Sequence, residues 1–131
     1  MFNNLYNEIK WFIQRGRRGY ADCDVWNMHS YLSKMFPKMI RQLKNNDGCP
    51  GDLYDITCKN DECHKWNEIL EEIAQGFEAA NWIDRFPVRR MFEEIDGELD
   101  YTLDLKSIKN AEQKYKRGLN LFAEYYMSLW D

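Results

Sequence analysis

The chain has 131 residues, 15% of them aromatic, and a formal net charge of −4. That length fits one domain able to bury a core without a staple, and that aromatic content excludes disorder for most of it. The acidic balance argues against a general duplex-binding surface, no apolar run reaches the roughly 20 residues that span a bilayer, and no export signal opens the chain, so a soluble, intracellular protein is expected.

The charge is unevenly spread. Residues 1–44 carry eight Lys or Arg against three acids, and residues 45–131 carry ten against nineteen. A local anion site in the first third therefore stays open. The cysteines Cys23, Cys49, Cys58 and Cys63 are expected as free thiols in a chain without export signals.

From Phe2 to Gln14, Phe2, Leu5, Tyr6, Ile9, Phe12 and Ile13 recur at helical spacing, and Gly16 is placed to end that helix. Arg15 to Tyr20, RGRRGY, then reads as a basic turn. Asp22 offers an N-cap for a helix over Asp22–Leu43, with Asp24 favourable to its dipole. Val25, Met28, Leu32, Met35, Met39 and Leu43 form its main apolar stripe, and Trp26, Tyr31, Phe36 and Ile40 widen it. A helix apolar over most of its circumference has to be surrounded, so this one is predicted to lie mid-bundle. Pro37 predicts a kink or a break within it.

NNDGCPGDLYD after Lys44 is turn chemistry and reads as a surface loop. From Asp61 a third stripe runs through Cys63, Trp66, Ile69, Leu70, Ile73, Phe77 and Ala80, with Glu68, Glu71, Glu72 and Glu78 covering the other side. Pro87 is placed to open a short helix containing Met91, Phe92 and Ile95. Residues 93–105 read as an acidic connector. A last helix is expected from about Ser107 to Trp130, on Ile108, Ala111, Tyr115, Leu119, Phe122, Tyr126 and Leu129. The sum is an all-α fold: a single domain over 1–131, a bundle of four main helices with a short fifth.

Arg15, Arg17, Arg18, Tyr20 and Trp26 cluster around a predicted helix start. Guanidiniums bind phosphate bidentately, helix N-termini offer free amides, and aromatic rings stack on bases, so these residues are candidates for an anionic, nucleotide-like ligand. Arg85 and Arg89, with Arg90, would close the pocket if they lay beside the first group. The alternative is that both groups pair with acids of the same chain and that Trp26 is core. Cys58, Cys63 and His64, with Cys49 upstream, are a weak match to zinc spacing, because adjacent ligands on a helix point in different directions. No metal and no cofactor are expected. Phosphate loops, nucleophile elbows and paired-histidine motifs are absent from the sequence, so no catalytic residue and no enzyme activity are expected.

The segments RGYADCDVWNMHSYLSKMFPKMIRQL, WNEILEEIAQGFE and GLNLFAEYYMSLWD resemble, in that order, three signature blocks of a family of small proteins encoded by tailed bacteriophages. Where such proteins read Gly-Tyr-Pro after the central helix, this chain has Gly48, Cys49 and Pro50. The resemblance implies a phage origin and a place in the cytoplasm of an infected bacterium, or in the virion. Two functions follow as expectations. One is a non-enzymatic binding protein that counters bacterial defence by sequestering a nucleotide-derived immune signal or a host defence protein. The other is a structural or assembly component of the virion. Homo-oligomerisation is expected in either case, since Leu121, Tyr125, Met127 and Trp130 exceed what one helical stripe buries. No membrane partner is expected.

Overall fold

The computed structural model describes residues 2–46, 48–50, 64–92 and 101–130, with the side chains of 2, 3, 87–92 and 101–104 outside the description. Every regular element among them is helical: α1 (Phe2–Arg18), α2 (Asp22–Trp26), α3 (Met28–Lys44), α4 (His64–Phe92), α5 (Tyr101–Glu124) and a short 3-10 turn (Tyr126–Ser128). The all-α expectation holds, with four long helices and one short one. They form two compact units, residues 1–32 and 33–131.

In the first unit α1 runs through Gly16 instead of ending there. A mid-helix glycine costs only about 1 kcal/mol against alanine, which neighbouring turns outweigh. The terminator is Gly19, at φ 83°, whose N–H donates to the Arg15 carbonyl at 3.0 Å. That left-handed residue satisfies a carbonyl at the helix end, and glycine adopts it without a Cβ penalty. Arg15, Arg17 and Arg18 therefore occupy the last turn of a helix rather than a loop, where cations complement the dipole.

The helix predicted over Asp22–Leu43, with a kink or a break at Pro37, is two helices that part elsewhere. It breaks at Asn27, whose φ of −127° and ψ of 54° leave the helical region, and continues through Pro37. Asparagine competes for backbone hydrogen bonds and so favours helix ends, whereas Pro37 is buried on the packed face of α3. Nor is Asp22 the cap. Ala21 holds that position, and its N–H donates to the Asp24 carboxylate at 2.8 Å.

The second unit is organised around α4, a correction to the expectation that the 22–43 segment is the surrounded helix. Trp66, Leu70, Ile73 and Ala74 are almost completely buried, joined by Ile69, Phe77 and Ile40. Five of the six residues in the main stripe expected for the 22–43 helix fail to reach the core: Val25, Met28 and Met39 are exposed, and Leu32 and Met35 stay outside the core cluster. From α3 it is Phe36, Ile40 and Leu43 that pack there, the face read only as a widening. Phe36, Phe77 and Phe122 form a three-ring cluster with centroids 5.0–5.4 Å apart, and Trp66 meets Tyr125 at 5.6 Å. Such pairs add about 0.5–1.5 kcal/mol each beyond area burial.

Two glycines set the α4–α5 crossing. A Cβ on Gly76 would lie 2.6 Å from the Gly118 Cα, so the two backbones touch without intervening side chains. Three of the four acids that the pattern placed opposite the α4 stripe, Glu71, Glu72 and Glu78, are paired. Arg41 and Lys44 of α3 reach Glu71 at 2.9 and 3.1 Å, Arg41 also binds Glu78, and Arg117 of α5 binds Glu72.

Further boundaries differ from expectation. The chain stays helical through Pro87, so Met91 and Phe92 belong to α4 and no separate helix opens there; Ile95 lies outside the described residues. α5 begins at Tyr101, so part of the expected 93–105 connector is helix, while 93–100 lie outside the described residues. Its α-helical course stops at Glu124 rather than Trp130. Cys23 is a free thiol, as expected, but Cys49 is disulfide-bonded, which corrects the free-thiol reading at that position.

Candidate functional site

At 100° per residue, Leu5, Tyr6, Ile9, Phe12 and Ile13 fall within an arc of about 120° on α1. Trp11, Gln14, Arg15 and Arg18 fall on the opposite side. It is this second, polar side that α2 engages. Gln14 Nε2 donates to Asp22 Oδ2 at 2.8 Å, and the Asp22 N–H donates back to Gln14 Oε1 at 3.0 Å. Arg15 forks onto Asp24, Nε to Oδ2 at 2.9 Å and Nη2 to Oδ1 at 2.6 Å. Arg18 pairs with Asp22 and donates to the Tyr20 carbonyl at 3.0 Å. The apolar arc is left in solvent, its five side chains between 50% and 77% exposed.

Helices in small domains bury the apolar side and solvate the polar one. α1 does the reverse. Its polar face carries the structural bonds and its apolar face is presented outward.

The cations of the candidate ligand site are largely committed. The Arg15 guanidinium holds the Asp24 carboxyl below its usual range, helped by the Ala21 N–H and opposed by burial. Arg18, then Gln14, hold Asp22 low in the same way. Both guanidiniums also lie over rings, Arg18 4.6 Å from the Tyr20 centroid and Arg15 5.9 Å from that of Tyr31. Trp26 is 76% exposed, neither core nor enclosed in a pocket.

Arg17 makes no ion pair among the described residues. It borders a shallow groove of about 390 Å³ with Tyr6, Ile9, Lys10 and Ile13. Arg85 is an exposed residue of α4, and Arg89 follows one turn later on the same helix, its side chain outside the description. These two belong to the second unit and the Arg15 group to the first.

Further depressions lie among the described residues of the second unit. One, of about 640 Å³, lies between α4 and α5 beside Trp82, Asn110 and Lys114, and another, of about 480 Å³, is lined by Phe36, Leu43, Phe122 and Leu129. Among the described residues no group of three His, Cys, Asp or Glu side chains is placed to hold a metal ion, and no helix is long and apolar enough to cross a membrane. Cys58 and Cys63, the weak zinc candidates, lie outside the described residues.

Sequence reasoning read Leu5, Ile9 and Ile13 only as the spacing of a helix, because periodicity shows that a helix has two faces without showing which one finds a neighbour. The usable signal was Gln14, Arg15 and Arg18 facing Asp22 and Asp24 from one side of α1. Comparison with family models, with curated proteins and with solved structures gives no match to this chain.

Proposed function

We propose that this protein is a non-enzymatic binding protein that engages another protein through the apolar arc of α1. The observation that carries the reading is the outward presentation of Leu5, Tyr6, Ile9, Phe12 and Ile13. Burying a side chain of this size is worth about 1.5–3 kcal/mol, so five on one face supply the driving force for a helix-in-groove complex. Taken with the resemblance to small proteins of tailed bacteriophages, the partner is a host defence protein in the cytoplasm of the infected bacterium, and its capture counters defence. Sequestering a nucleotide-derived signal is the less supported form of this function, because Arg15 and Arg18 already have carboxylate partners, which leaves Arg17 as the one arginine of that group without an ion pair among the described residues.

The test is expression in bacteria carrying a defence system that blocks phage plating. The wild-type chain restores plaques, and Ile9→Ser combined with Ile13→Ser does not, although the variant stays as helical by circular dichroism. Equal protection by both would remove α1 from the function.

Met127 and Trp130, 85% and 60% exposed, support self-association as a second and separate property, since Leu121 and Tyr125 pack into the core cluster instead. A monomer by light scattering at micromolar concentration would exclude it.

A further inference from the structure

We infer that the α1 surface is shaped for an acidic amphipathic helix of another protein, whose carboxylates, spaced seven residues apart, meet Lys10 and Arg17. This rests on the reading of α1 as a binding surface and specifies the chemistry of what binds.

Lys10 and Arg17 lie two turns apart on one edge of the apolar arc, about 10.5 Å along the axis at 1.5 Å per residue. Both line the groove with Tyr6, Ile9 and Ile13. Arg17 makes no ion pair among the described residues, and Lys10 stands 3.7 Å from Asp22, a loose contact that a better placed carboxylate displaces. The opposite edge carries Glu8. The arc is therefore apolar in the middle and cationic along one side, and a helix with an apolar stripe edged by acids matches it in both respects. Gly16 continues the arc with open space around its Cα, which lets a second backbone approach closely.

Other occupants match less well. In a two-fold antiparallel pair of α1 helices each edge meets its own copy, so the edge of Lys10 and Arg17 would face like charges. A parallel pair sets the cationic edge against Glu8 alone. An anionic lipid surface is drawn by net positive charge, and residues 1–32 hold four cations (Lys10, Arg15, Arg17, Arg18) against three acids (Glu8, Asp22, Asp24), a net of only +1.

The experiment uses the full chain and two synthetic 18-residue helical peptides with the same Leu/Ile stripe. One is edged with Glu at seven-residue spacing, and the other has Lys at those positions. By fluorescence anisotropy the Glu peptide should bind at least ten-fold tighter than the Lys peptide, and Lys10→Glu with Arg17→Glu should reverse that order. Both positions are exposed, so the variant should keep its helical circular dichroism. Equal affinities for the two peptides, with binding lost in Ile9→Ser, would overturn the acidic-partner inference and leave the binding surface standing. Binding of neither peptide, together with flotation on phosphatidylglycerol vesicles or an Ile9-dependent dimer by sedimentation, would overturn it in favour of a membrane or a second copy. Binding of either peptide unaffected by Ile9→Ser would overturn the α1 reading itself.

Discussion

Asp24 shows how one side chain serves two levels of structure. Its carboxylate accepts both prongs of Arg15 and the Ala21 N–H while only 8% exposed, so it closes the start of α2 and ties α2 to α1. Asp24→Asn keeps the shape but removes the charge, leaving a guanidinium with a weaker acceptor, and should cost about 1–2 kcal/mol in denaturant unfolding. A variant as stable as the wild type would mean that solvent replaces this fork without loss. In the second unit Leu70 is fully buried, and Leu70→Ala should cost about 2–5 kcal/mol through lost transfer energy and a cavity. Sequence placed Leu70 correctly, because an apolar residue in a long, well-phased stripe has few alternatives. It saw Asp24 only as a first-turn acid, since the partner nine residues earlier is brought near by the Gly19 turn.

Element by element, α4 was the most legible, its stripe from Trp66 to Phe77 being the one the structure buries. What local pattern could not rank was competing breakers. Gly16, Asn27 and Pro37 all weaken a helix, and only Asn27 interrupts one, because Pro37 is held by burial and Gly16 by the turns around it. The α4–α5 crossing was illegible, since Gly76 and Gly118 read merely as weak helix residues until the helices are set side by side. The three positions separate cleanly by measurement. Gly76→Ala or Gly118→Ala drives a methyl into the opposing backbone and should cost about 1–3 kcal/mol by thermal or denaturant unfolding. Gly16→Ala meets nothing within 4 Å in an exposed helix and should stabilise by about 0.5–1 kcal/mol. Stabilisation by Gly76→Ala would contradict the close crossing.

At the scale of the molecule, the second unit is braced by cations of α3 and α5 gripping acids of α4, and this makes its stability sensitive to acid. Arg41, then Lys44, lower the Glu71 carboxyl from 4.5 to about 2. A depressed carboxylate contributes stability in full above its unfolded pKa and loses it as pH falls through the folded value. Unfolding free energy should therefore decline from about pH 4.5 toward pH 2, and Glu71→Gln should flatten that decline; an unchanged slope would show that Glu71 contributes none of it. The helical class and the α4 core were legible because periodicity and burial coincide there. The α1 surface was not, because its periodicity is the same whether the arc faces a core or a partner. Hydroxyl-radical footprinting of the monomer tests that surface most directly. Tyr6 and Phe12 should be oxidised as readily as Trp26 and Met127 and far faster than Trp66 and Phe77, whereas protection of Tyr6 and Phe12 to the level of Trp66 would contradict an outward-facing arc.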